Sequence, residues 1–192
     1  MEKFATLKAT AAPLDLANVD TDRIIPARFL RRPRNEGYGQ FLFHDLREGG
    51  GFVLDRPEYR GARILVAGEN FGCGSSREGA VWALAGAGFR AWIAPSFGDI
   101  FYDNSFKNGA LAVVLSKGSV LELQNFLSGQ PGAQIEIDLP SQTIAWGERK
   151  KERFEIDAFR KACLVEGVDE IDLTLRHEEA IAAYERRREA QA

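Results

Sequence analysis

An apolar run, Arg63-Ile64-Leu65-Val66-Ala67, leads into Gly68-Glu69-Asn70-Phe71-Gly72-Cys73-Gly74-Ser75-Ser76-Arg77-Glu78, and a stretch of helical composition follows from Glu78 to Ala87. A glycine-rich turn between a strand and a helix suits an anion, because unpaired backbone amides and the positive end of the helix face the ligand. Two phosphate loops are excluded. The P-loop requires a Gly-Lys-Ser/Thr that is missing, and the dinucleotide fingerprint requires a third glycine where this chain has Arg77. Ser75 has two readings. Ser75-Ser76-Arg77-Glu78 satisfies the capping box, and on that evidence alone capping is the favoured role. A serine oxygen that accepts backbone amides beside a guanidinium also has its anionic form stabilised, so the same placement can make a base. Arg77 would supply the positive charge or clamp a carboxylate with two donors; a surface salt bridge is its plainer alternative. Cys73 has no histidine within the loop to activate it and reads as a turn residue.

The elements around this loop predict a mixed α/β domain. Phe4 to Leu16 reads as a strand with a turn at Pro13, and Asn18-Val19-Asp20-Thr21-Asp22-Arg23 as a polar loop entering Ile24-Ile25-Pro26. Buried strands are expected at 63–67, Ala91–Ala94 and Leu111–Leu115, and helices at 78–87, from Asp99 to Asn108, and at Ser119–Leu127. Strands alternating with helices of this length indicate parallel β-α units. Ala133–Leu139 alternates and pairs with Thr143–Trp146 across Pro140-Ser141-Gln142 as a hairpin. The stretch from Arg31 to Tyr59 lacks periodicity, and a segment so long is expected to be functional and mobile without a partner to order against. The expected architecture is one domain over 1–192, three-layered in the β/β/α sense, with 150–192 as a helical C-terminal extension.

Composition narrows the function. The 192 residues carry a net charge of −3, which provides no global basic field and argues against nucleic acid as a partner. No run approaches the roughly 20 apolar residues of a membrane helix, and the N-terminus carries Glu2 and Lys3 without a clean apolar core. No membrane and a cytoplasmic location are therefore expected. Cys73 and Cys163 are the only cysteines, and His44 and His177 the only histidines, which supports neither a disulfide framework nor a zinc site.

Asn70-Phe71-Gly72-Cys73-Gly74-Ser75-Ser76-Arg77-Glu78, Pro95-Ser96-Phe97 with Asp99-Ile100-Phe101-Tyr102, and Phe106-Lys107-Asn108-Gly109 resemble the small subunit of bacterial 3-isopropylmalate dehydratases, in the aconitase superfamily. Asp20-Thr21-Asp22 with Ile24-Ile25-Pro26, and Leu173-Thr174-Leu175 with His177-Glu178, extend the likeness over nearly the whole chain. The resemblance implies the swivelling β/β/α domain of aconitase. It implies a hydro-lyase of leucine biosynthesis that isomerises 2-isopropylmalate to 3-isopropylmalate by dehydration and rehydration. It also implies a separate large subunit bearing a four-iron four-sulfur cluster, with none bound by this chain. The cysteine count agrees, since such a cluster needs three thiolates and an open iron.

By the same resemblance Ser75 is the base that takes a proton from carbon, and Arg77 and Asp22 complete the catalytic group. Ser76, Gly74 and Thr21 fall among the contacts to a small 2-hydroxy dicarboxylate. Arg28 is the nearest counterpart of a substrate-binding arginine, and 29–32 corresponds to the region facing the variable substrate group. Three positions depart from the family pattern: Gly79 stands in place of histidine, Val81 in place of proline, and Gly98 where alanine is commoner. They leave open a relative acting on a methylmalate, citramalate or homocitrate type of diacid. A non-catalytic anion-binding module is the alternative from another class, and it would not need Ser75.

Overall fold

The computed structural model of the chain describes residues 1–33 and 37–190. Its seven strands are β1 (Thr6–Leu14), β2 (Ile64–Ala67), β3 (Ala91–Ala94), β4 (Leu111–Val114), β5 (Gln134–Asp138), β6 (Thr143–Trp146) and β7 (Lys150–Arg153). They form one mixed sheet in the order β4-β3-β2-β1-β5-β6-β7. β1 belongs to both halves. Its residues Thr6–Thr10 run antiparallel to β5, and Ala11–Leu14 run parallel to β2. The parallel half is buried on both faces, with all four residues of β2 and of β3 inaccessible. The antiparallel half alternates, so that Ile135 and Ile137 point inward and Glu136 is half-buried.

Among the described residues the helices are α1 (Thr21–Ile24), α2 (His44–Arg47), α3 (Glu78–Gly86), α4 (Asp99–Lys107), α5 (Lys117–Gly129), α6 (Ala158–Glu166), α7 (Glu170–Leu175) and α8 (Glu178–Glu189). α5 packs across β1, β2 and β3, and its buried Gln124 donates to the carbonyls of Leu14 and Val66 at the ends of β1 and β2. α4 is held by Trp92 of β3, whose indole N–H donates to Ser105 Oγ (3.0 Å), while that hydroxyl donates to the Phe101 carbonyl (2.7 Å). Both polar groups are buried, so each needs its partner.

The structure bears out the mixed α/β class and corrects three details. Pro13 lies inside β1 opposite Val66 and makes no turn. Ala11 donates to Ala133 on the β5 side; two residues on, β5 has already left, so the missing N–H of Pro13 faces no acceptor. Residues 150–153, expected as helix, form a third antiparallel strand against β6, and the helices begin only at Ala158. α5 starts two residues before the expected Ser119, because Ser116 caps it. Within the stretch 31–59, Tyr38, Leu42, Phe43 and Tyr59 lie in the core. Residues 34–36 of that stretch lie outside the described residues.

Candidate active site

The loop after β2 is stitched on both sides at the C-terminal ends of the parallel strands, the edge at which open α/β sheets bind ligands. On one side Gly72 N–H donates to Val19 (2.7 Å) and Thr21 N–H donates to Cys73 (3.0 Å). On the other, Phe71 N–H donates to Ser96 (3.1 Å) and Gly98 N–H donates to Phe71 (2.9 Å). Asn70 and Asn18, both in the left-handed region at φ 57° and 53°, brace the entrance through a 2.8 Å side-chain hydrogen bond. Gly98 is required by this crossing. A Cβ there would lie 2.6 Å from the Gly72 carbonyl oxygen, so the commoner alanine would force two backbones apart.

This framework presents Gly74, Ser75 and Ser76 to solvent ahead of α3. Among the described residues the hydroxyls of Ser75 and Ser76 have no hydrogen-bond partner. The favoured capping role therefore fails. α3 begins at Glu78 with Arg77 as its flanking residue and no side-chain cap. The physical reason is tertiary. Glu78, which a capping box would turn back toward the serine, accepts instead from Asn108 Nδ2 at the end of α4 (2.7 Å), and Asn108 Oδ1 accepts from Trp82 (3.0 Å).

Arg77 lies beside the serines and pairs with Asp22 of α1 through Nη1. The arginine side chain is 22% exposed and the aspartate 52%, so the pair sits at the rim of the site. One terminal nitrogen is anchored inward, and the remaining guanidinium donors have no partner among the described residues. Thr21 is placed behind the site: it is 1% exposed, and its hydroxyl donates to the Ser75 carbonyl (3.0 Å). Its position makes it a support for the serine. Asp20 caps α1 by accepting from Arg23 N–H (2.7 Å), which turns Asp22 toward Arg77.

Arg28 is not brought to the serines. Its guanidinium makes a two-point pair with Asp45, reaches His44 Nδ1 and lies over the Phe29 ring at 4.7 Å. The hydrogen bond to Asp45 raises the arginine pKa and lowers that of the carboxyl. Two supports are not apparent from the sequence: the Asn18–Asn70 brace and the Asn108 acceptor for Trp82. Asparagine's tolerance of the left-handed region is the available signal for the first; nothing local marks the second.

Ser75, Ser76, Arg77 and Asp22 thus form one cluster with a half-anchored guanidinium and two hydroxyls that have no partner among the described residues. Such a cluster can hold a carboxylate and receive a proton. Residues 1–118 match the profile of the aconitase C-terminal domain, and residues 170–192 match that of the C-terminal domain of the 3-isopropylmalate dehydratase small subunit. The chain is 50% identical over 186 residues to the 3-isopropylmalate dehydratase small subunit of Acidobacterium capsulatum, covering 97% of this chain and 90% of that one. The crystal structure of a 3-isopropylmalate dehydratase from Methanocaldococcus jannaschii aligns with a TM-score of 0.69 at 28% identity, covering 94% of this chain and 99% of that one.

Proposed function

The chain belongs to the 3-isopropylmalate dehydratase small subunits, within the aconitase C-terminal domain family, and from that premise we propose that it supplies the proton-transfer half of a shared active site. It is one subunit of a hydro-lyase of leucine biosynthesis that interconverts 2- and 3-isopropylmalate. The observation that carries the proposal is the pair of hydroxyls on exposed serines, without a partner among the described residues, held beside Arg77 by the Asp22 and Thr21 contacts.

In this reading the free donors of Arg77, with Ser76 and the backbone at Gly74, hold a substrate carboxylate. Ser75 Oγ takes the proton from the carbon next to the one bearing the hydroxyl. The C–H electron pair becomes the new double bond as the hydroxyl departs, and readdition with the two carbons exchanged gives the isomer. The Arg77 charge stabilises the carboxylate and lowers the cost of a serine anion beside it. Asp22 orients the guanidinium and is a positioning residue.

Departure of the hydroxyl requires a Lewis acid, and the cysteines of this chain do not fit an iron–sulfur cluster, which needs three thiolates converging on one site. The two lie on separate elements, Cys73 in the loop and Cys163 on α6, where burial pushes the thiol pKa up. We assign that chemistry to a large subunit, for which the family resemblance implies a four-iron four-sulfur cluster. No helix among the described residues is long and apolar enough to cross a membrane, and we place the assembled enzyme in the cytoplasm. The test is co-expression with the cognate large subunit: the complex isomerises isopropylmalate and the isolated chain does not. Turnover by the isolated chain would refute a divided site.

A further inference from the structure

Gly79 stands on the first turn of α3, two residues past Arg77, and it is buried. A Cβ built there would lie 2.5 Å from Leu30 Cδ2 and 3.5 Å from the Tyr38 ring. Leu30 occupies the space that a side chain at position 79 would take. Leu30 also belongs to the segment that leaves α1, the helix carrying Asp22, so one stretch of chain both anchors Arg77 and packs beside it. Tyr38 secures this arrangement. Its hydroxyl is shared between the carbonyls of Arg32 (2.9 Å) and Leu30 (3.2 Å), and its ring meets Trp82 of α3 edge-on with centroids 5.6 Å apart. At the far end of α3 the backbones of Gly39 and Gly86 touch, since a Cβ on Gly39 would lie 2.3 Å from the Gly86 carbonyl carbon. The segment is docked along α3 at both ends, and only the Gly79 end borders the serines.

We infer that Gly79 is a positioning residue of this site: by omitting a side chain it seats Leu30 on the first turn of α3 and fixes the apolar wall beside Ser75, Ser76 and Arg77. The inference deepens the substrate-binding reading above and rests on it. A methyl group at position 79 displaces Leu30 from its seat. The wall then moves against the apolar part of a bound diacid, while Ser75 and Arg77, which lie ahead of the helix, keep their places. Binding suffers more than proton transfer.

The experiment uses the assembled two-subunit enzyme in four forms: wild type, Gly79→Ala, Leu30→Ala and the double variant. KM and kcat are measured on whichever hydroxy diacid the wild type turns over, so that failure of wild type on isopropylmalate counts against the substrate assignment alone. Gly79→Ala is expected to raise KM about tenfold with kcat within about threefold of wild type, the mark of lost binding at unchanged chemistry. Because the methyl group at 79 no longer meets a leucine, the double variant is expected to return to within about twofold of the KM of Leu30→Ala alone. An unchanged KM in Gly79→Ala, a fall in kcat without a rise in KM, or effects that simply multiply in the double variant would overturn the inference. If Gly79→Ala blocks assembly, Leu30→Ala alone decides: it must raise KM while kcat holds, and an unaltered KM sinks the idea.

Discussion

Replacing Ser75 with alanine separates the two roles open to this residue. Were it a helix cap, its removal would cost about 1 kcal/mol. In a chain of 192 residues that amounts to a fall in Tm of roughly 2–4 °C. The structure assigns no such loss, because α3 starts at Glu78 without a side-chain cap and the Ser75 hydroxyl has no partner among the described residues. Thr21 holds the backbone carbonyl of residue 75, a contact that alanine keeps. The expected change in Tm of the isolated chain is therefore within about 1 °C. Loss of a general base lowers turnover by about 10²–10⁴, equivalent to roughly 3–5 kcal/mol of barrier. The assay is isomerisation by the complex with the large subunit, followed by the ultraviolet absorbance of the conjugated double bond in the dehydrated intermediate. Co-purification checks that assembly is intact. Turnover within about threefold of wild type would refute the assignment of Ser75 as the base. A Tm drop of about 2 °C or more would refute the reading of its hydroxyl as uninvolved in the fold.

Two further outcomes follow from the same contacts. Asp22→Ala removes the ion-pair partner of Arg77 Nη1, a buried atom, so a loss of about 1–3 kcal/mol in stability is expected. Turnover efficiency of the complex should also fall about 100-fold from the misplaced guanidinium, and kinetics within about threefold of wild type would remove Asp22 from the site. The Ser141 hydroxyl (2.6 Å) and amide (2.7 Å) hold the Asp138 carboxyl below the usual carboxylate range. Its folded pKa is thus lower than its unfolded one, so its contribution is complete above about pH 4 and is lost as pH falls through the folded value. Asp138→Asn should flatten the decline of Tm below about pH 4, and a decline as steep as that of wild type would contradict it.

Much of the fold is legible in the sequence because it rests on local signals. The runs at β2, β3 and β4 are apolar on both faces, β5 alternates, and each pattern follows directly from which faces are covered. β7 is hidden for the complementary reason. Lys150-Lys151-Glu152-Arg153 has no inward face to reveal it, and only pairing with β6 makes it a strand. Pro13 misleads because the lack of an acceptor beside it is a property of where β5 ends, not of proline.

The residue types of the site are likewise legible, since Ser75, Ser76 and Arg77 are contiguous and their order carries the resemblance. Their states are not. Ser75 satisfies the local pattern of a capping box, and the bond from Asn108 to Glu78 alone defeats it, across 30 positions of sequence. Arg28 and Arg77 are both arginines near carboxylates in sequence, but packing gives the first to Asp45 and the second to Asp22. The chain sequence determined which groups are present and which faces are apolar. Long-range packing decided which hydroxyls stay free and which charges are spent, because a hydrogen bond has few partners and the nearest one in space need not be near in sequence.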